Sequence, residues 1–223
     1  VHFMLLVQDF WPLVQLWTKF FDGAPPNEWR GWIHCSLPKG GCEHLADSMP
    51  GFKLVKKVKT RPCVDDVSAQ VSLIKAALWG GDVFPNRVEK FVLLSGASLP
   101  IRPFAEVHEA LVGSRLSDFC LLPPETWRRS NQGGGSMSLV RHTPSVVLSR
   151  DLALRFASEW RGVSREQQWG FPIKGSVGAQ RKFNQNEPAP PRMVVGPGKG
   201  RPRCTDEYAI FANLYGIFQA SEK

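Results

Sequence analysis

The stretch FVLLSGASLPI, Phe91 to Ile101, is a continuous apolar run that stops at four small residues, Ser95-Gly96-Ala97-Ser98, followed by Leu-Pro. An uninterrupted apolar run of this length suits a strand buried on both faces, as in a central parallel sheet. The strand is expected over Lys90 to Ser95. In open parallel sheets ligands collect beyond the carboxyl ends of the strands, and small residues there let a backbone approach a ligand closely. An ordinary strand-to-helix turn has the same composition, so spacing alone leaves both readings open.

Working outward, the preceding segments alternate strand and helix signals. HFMLLV, His2 to Val7, is a second buried apolar run. Phe10 to Phe21 places Leu13, Leu16, Trp17 and Phe20 at helical spacing, with Pro12 suited to a first turn. Gly23 to Asn27 reads as a turn and Trp29 to Cys35 as the next strand, which makes a βαβ unit and predicts a parallel sheet. Phe52 to Val58 reads as an edge strand, Ala69 to Trp79 as a helix capped by Asp66 or Ser68, and Phe104 to Leu111 as a helix. Further on, strands are expected over Asp118 to Leu122 and Ser145 to Ser149, and helices over Arg150 to Trp160 and Asp206 to Phe218. Asn131 to Ser136 is a Gly-rich loop, and Arg161 to Arg203 has no periodicity. The fold class expected is α/β, a mostly parallel central sheet flanked by helices.

The 223 residues allow one large domain, and 43% hydrophobic content is ample for a core. No apolar run is long enough to span a membrane. The chain opens without a methionine, so an anchor or targeting signal is expected to lie outside it if one exists. Net charge is +8 and the pI is near 9.5, which favours anionic partners. A nucleic-acid-binding domain would carry such a charge, but no binding motif of that class is present. The basic cluster from Lys53 to Arg61 has the ordinary reading of solvated surface charge. Five cysteines contain no CxxC pair, and Cys35 and Cys42 are close enough for a local disulfide. The count leaves the redox compartment open.

Two further segments carry chemistry. Cys204-Thr205-Asp206-Glu207-Tyr208 puts adjacent acids at the mouth of a predicted helix. One acid can cap free N–H groups there while the other serves as a general base. Glu125-Thr126-Trp127-Arg128-Arg129 sets an aromatic ring beside paired arginines, a combination suited to a sugar or phosphate. A solvated loop anchored by one Trp would look the same. The five histidines have no metal-ligand spacing, and no GxSxG, Walker or GxGxxG motif appears. These absences disfavour a serine hydrolase and a P-loop NTPase.

In this order the segments resemble the core-2/I-branching glycosyltransferases, glycosyltransferase family 14. HFMLLV with WIHCS resembles the family's opening, where a strand ends in His-x-Asp. SLIKAAL followed by KFVLLSGASLPIRPFAEVHEAL covers its Leu-Ser-Gly-Ser-x-x-Pro signature. SVVLSRDLALRF and CTDEYAIFANL resemble its later segments, so the matches span His2 to Leu214. The resemblance implies a GT-A-like fold, one catalytic domain over 1–223 that stops short at its C-terminus, and an irregular region over 162–203. It implies a UDP-sugar donor, with N-acetylglucosamine expected before xylose or glucuronic acid. It also implies a glycan or glycoprotein acceptor, inversion without a metal, no other cofactor, and the Golgi lumen with a membrane anchor outside this chain. Residue by residue, it makes Glu207 the catalytic base, with Asp206 positioning it. Ser95, Gly96, Ser98 and His34 would lie beside the donor, and Glu125, Trp127, Arg128 and Arg129 would bind the acceptor. The family's diphosphate-binding cations come from a part that follows Glu207; Lys199, Arg201 or Arg203 are expected to stand in. The chain departs from the pattern at Ser36 (Asp in the family), at Thr205 (Pro), and at Cys63-Val64-Asp65, where a Trp-Gly or Trp-Ser pair is usual.

Overall fold

The computed structural model describes residues 1–8, 11–36, 41–60, 65–80, 88–130, 136–160, 206–215 and 218–220. Nine strands and six α-helices alternate along them: β1 His2–Val7, α1 Val14–Phe21, β2 Arg30–Cys35, α2 Leu45–Ser48, β3 Phe52–Leu54, α3 Val67–Trp79, β4 Lys90–Ser95, α4 Phe104–Val112, β5 Asp118–Leu121, β6 Arg128–Ser130, β7 Ser136–Leu139, β8 His142–Ser149, α5 Arg150–Glu159, α6 Asp206–Tyr215 and β9 Phe218–Ala220.

The main sheet has six strands in the order β3-β2-β1-β4-β8-β5. From β3 to β4 neighbouring strands are parallel, with Leu6 opposite both His34 and Ser95. β8 is antiparallel to β4 and to β5. The fold is therefore α/β with a mixed, mostly parallel sheet. The reversal has a simple cause. β5 leaves the sheet at its carboxyl edge, and the chain re-enters as β8 from that same edge without a crossover helix, so β8 runs backwards.

Strands buried on both faces explain the apolar runs. Phe3, Leu5, Val7, Ile33 and Val92 point to one face, packed with Trp17, Phe20 and Phe21 of α1 and Phe104 of α4. Met4, Trp32, Phe91, Leu93 and Leu148 point to the other, under α3, α5 and α6. The first face is an aromatic cluster. Phe21 stacks on Trp29 at 3.8 Å and meets Phe3 edge-on at 5.2 Å, geometry that adds to area burial. Gly31 of β2 is required here, because a Cβ would fall 2.2 Å from the Phe52 ring. Gly23 follows α1 with φ +73°, the left-handed turn that glycine makes without penalty.

Five expectations need correction. β3 keeps only Phe52–Leu54 of the edge strand expected over Phe52 to Val58. α1 begins at Val14 rather than Phe10, and Leu16 is 48% exposed while Phe21 takes the buried place. α3 begins at Val67, and neither Asp66 nor Ser68 caps it with a side chain; Asp65 does, its carboxylate accepting from the backbone N and hydroxyl of Ser68, both at 3.0 Å. β8 starts at His142, three residues before the expected strand. α6 ends at Tyr215, and Phe218 belongs to β9. The small antiparallel sheet β6-β7-β9 was not expected at all. Residues 131–135 of the Gly-rich loop and the irregular 162–203 region lie outside the described residues, as do Cys63 and Cys204.

Candidate functional site

The sheet topology brings the three chemistry-bearing segments to one edge. Ser95 ends β4, and the end of β5 leads into Glu125 and Trp127. β8 enters from that edge at Arg141 and His142, and α6 starts against the N-terminus of α3, which follows β3 out of the same edge.

Asp206 is buried. Its Oδ1 accepts the backbone N–H of Asp66 at 3.0 Å, so it caps α3 rather than its own helix. Its Oδ2 is buried without a hydrogen-bond partner among the described residues. Burial, reinforced by the charges of Asp66 and Asp65, pushes the Asp206 carboxyl up to about 7. Glu207, the next residue, points elsewhere: its Oε2 accepts from Nε of Arg141 at 2.7 Å, with both side chains partly exposed. That hydrogen bond raises Arg141 above its ordinary range. The two acids thus divide their work, one structural and one facing out.

Tyr208 is fully buried and its hydroxyl donates to the carbonyl of Thr126 at 3.4 Å. The indole of Trp127 donates to the Leu122 carbonyl at 2.8 Å, and the Leu122 N–H donates to the Arg141 carbonyl at 2.9 Å. The expected acceptor segment and the expected base are therefore joined by one hydrogen-bonded chain. Glu125 is exposed beside it, and the backbones of Arg128 and Arg129 continue it as β6. Below, His142 is fully buried, its Nδ1 near the Thr143 carbonyl and its Nε2 accepting the Phe211 N–H at 3.4 Å. Burial holds this histidine below its ordinary range, hence neutral.

The Ser95–Ser98 turn is fastened by its own hydroxyls. The Ser95 N–H donates to Ser98 Oγ at 3.1 Å and the Ala97 N–H to Ser95 Oγ at 3.3 Å, while Trp17 Nε1 holds the Ser98 carbonyl at 3.0 Å. A Cβ on Gly96 would come no nearer than 3.7 Å to any neighbour, so the fold itself does not demand glycine there. His34 is fully enclosed at the end of β2. Its Nε2 accepts the Val58 N–H at 3.0 Å, which places the neutral ring's proton on Nδ1, a buried atom with no hydrogen-bond partner among the described residues. Burial and the Lys57 charge lower its pKa. Lys56 and Lys57 are exposed on the segment it tethers. Lys199, Arg201 and Arg203 lie outside the described residues.

Ser36 follows the disulfide-bonded Cys35, whose partner is Cys42. Cys120 is free and exposed. Among the described residues no group of three or more His, Cys, Asp or Glu is placed to hold a metal ion, and no helix is long and apolar enough to cross a membrane. A cavity of about 360 Å³ opens at the opposite, amino edge, lined by Val1, Glu28, Glu89 and His108 among others. None of the expected site residues lines it. Near that cavity, Trp32 Nε1 donates to His2 Nδ1 at 3.2 Å, and Glu89 joins His2 to Arg150.

Arg141 is the functional candidate that sequence reading missed. It stands alone between Val140 and His142, and its partner lies 66 residues away; no local spacing marks it. No protein-family model matches the chain, and no curated protein matches it.

Proposed function

We propose that the chain is an inverting, metal-independent glycosyltransferase that moves a sugar, N-acetylglucosamine first among the candidates, from a UDP donor to a hydroxyl of a glycan or glycoprotein. The observation that carries this reading is the joining of Glu207 and its helix to the Glu125–Trp127 segment through Arg141 and Tyr208, at the same edge of the sheet at which β4 ends in Ser95. The mixed sheet is compatible with a GT-A-like fold. Metal independence and the identity of the donor rest on the family resemblance.

In this reading Glu207 takes the proton of the acceptor hydroxyl. The hydroxyl oxygen attacks the anomeric carbon from the face opposite the phosphate, the bond to the β-phosphate oxygen breaks, and UDP leaves with the electron pair. The charge developing on UDP needs cationic neighbours. Lys56 and Lys57 are exposed on the segment tethered at this edge, and Lys199, Arg201 and Arg203 are the further candidates. The Cys35–Cys42 disulfide supports an oxidising compartment such as the Golgi lumen.

Calorimetric titration of UDP and UDP-sugars, with and without EDTA, tests the reading. Saturable binding that survives EDTA, with transfer of the bound sugar to a glycan, is the expected result. Binding without turnover would favour a second reading, a non-catalytic sugar- or nucleotide-binding relative, for which Ser36 in place of an acidic residue speaks. No binding of any UDP compound would sink both.

A further inference from the structure

We propose that Arg141 is the positioning residue for Glu207, fixing the carboxylate in register with the acceptor segment; this rests on the reading of Glu207 as the base. Arg141 Nε holds Oε2 at 2.7 Å, and no other hydrogen bond to this carboxylate occurs among the described residues. Oε1 is thereby left for an incoming hydroxyl. A base must come within hydrogen-bond reach of the proton it takes, and misplacement of a catalytic group by an ångström is enough to lower the rate a hundredfold.

Arg141 is itself held at both ends. Its carbonyl receives the Leu122 N–H, and the Leu122 carbonyl receives the Trp127 indole. The next residue, His142, accepts from the Phe211 backbone N–H, four residues along α6 from Glu207. Tyr208 closes the circuit by donating to the Thr126 carbonyl. Arg141 therefore stands where the base helix, the start of β8 and the Glu125–Trp127 segment are tied together. Of these ties, Arg141 is the one that reaches the Glu207 carboxylate itself. A guanidinium suits this task because its N–H groups are planar and fixed in direction, whereas a lysine would supply the charge without the direction.

The test combines two measurements on the full-length protein. Thermal melts of R141M, E207A and the double variant form a cycle, each single change removing one partner of the pair. Each single change is expected to lower the Tm by about 2–4 °C, and the double change by no more than either alone. Additive shifts would mean that the pair does not form, and would overturn the inference whatever the activity. Initial rates of sugar transfer form the second arm. R141M is expected to lower kcat at least tenfold with the donor KM within about twofold, and R141K to recover part of the loss. An unchanged kcat in R141M, or a loss confined to KM, overturns the positioning role while leaving glycosyl transfer intact. Absent turnover in the wild-type protein, or full turnover in E207Q, overturns the reading of Glu207 and the positioning role with it; the melts then still report whether the pair exists.

Discussion

The carboxylate of Asp206, the first residue of α6, accepts the backbone N–H of Asp66 at the start of α3, 140 residues earlier in the chain. A helix N-terminus welcomes a carboxylate, yet Asp65 and Asp66 already place negative charge there and Asp206 itself is buried. Among the described residues the second oxygen of Asp206 has no hydrogen-bond partner.

The strain of that arrangement depends on pH. Asp206 holds its proton up to about 7 in the folded protein, against 3.8 ordinarily. The folded state thus binds the proton more tightly, and stability falls as pH rises from about 4 to about 7. Asp206→Asn keeps an acceptor for Asp66 and removes the charge. It should match the wild type near pH 4 and be more stable by roughly 3–4 kcal/mol above pH 7, as read by denaturant melts across that range. Parallel stability curves for the two proteins would contradict this.

Glu89 behaves oppositely. Burial would raise it, but the hydrogen bonds with His2 and Arg150 prevail and bring it down to about 2, from 4.5. Its contribution is complete above about pH 4.5 and is lost as pH falls through 2. Glu89→Gln should lose about 2–3 kcal/mol at neutral pH, discounted for the half-exposed Arg150, with the difference shrinking in acid. Acid titration followed by circular dichroism would show it; a constant difference at all pH values would point to packing alone.

Glu207→Gln keeps the shape of the side chain and its contact with Arg141 but cannot take a proton. Transfer should fall by about 10²–10⁴-fold, while UDP affinity by calorimetry stays within a factor of about two.

Phe21 touches Phe3, Trp17, Trp29, Phe52 and Phe104. Phe21→Ala opens a hole among rings that cannot all move, and should destabilise by about 3–5 kcal/mol. Phe21→Leu should recover more than half of that in the same equilibrium unfolding experiment. Equal losses would mean that the stacking on Trp29, and not volume, sets the energy.

Strands β1 and β4 were readable because both their faces are buried, so each carries an unbroken apolar run, Phe3 to Val7 and Phe91 to Leu94. α6 was readable over its first ten residues for its periodic Ile210, Phe211 and Leu214. The periodicity continued to Phe218, where pairing with β7 captures the chain instead. β6 and β7, RRS and SMSL, are short and polar and exist only through their partners. Of the candidate site, the segments Asp206-Glu207 and Glu125-Thr126-Trp127 were legible because their acids and aromatic stand together in the chain. Arg141 was not, since an ion pair across 66 residues leaves no trace in spacing. Nor did the sequence reveal that Asp206 would cap α3, because a tertiary cap looks like a local one.

The placement of β8 between β4 and β5 has a consequence for synthesis on the ribosome. Strands β1 to β4 are made first and can pair side by side as they emerge. β5 follows, but among the described residues its sheet partner is β8, which comes out later. Until then the outer edge of β4 offers unpaired backbone groups to any passing strand. A nascent chain halted after Leu121 should therefore be far more prone to self-association than one that has completed Ser149.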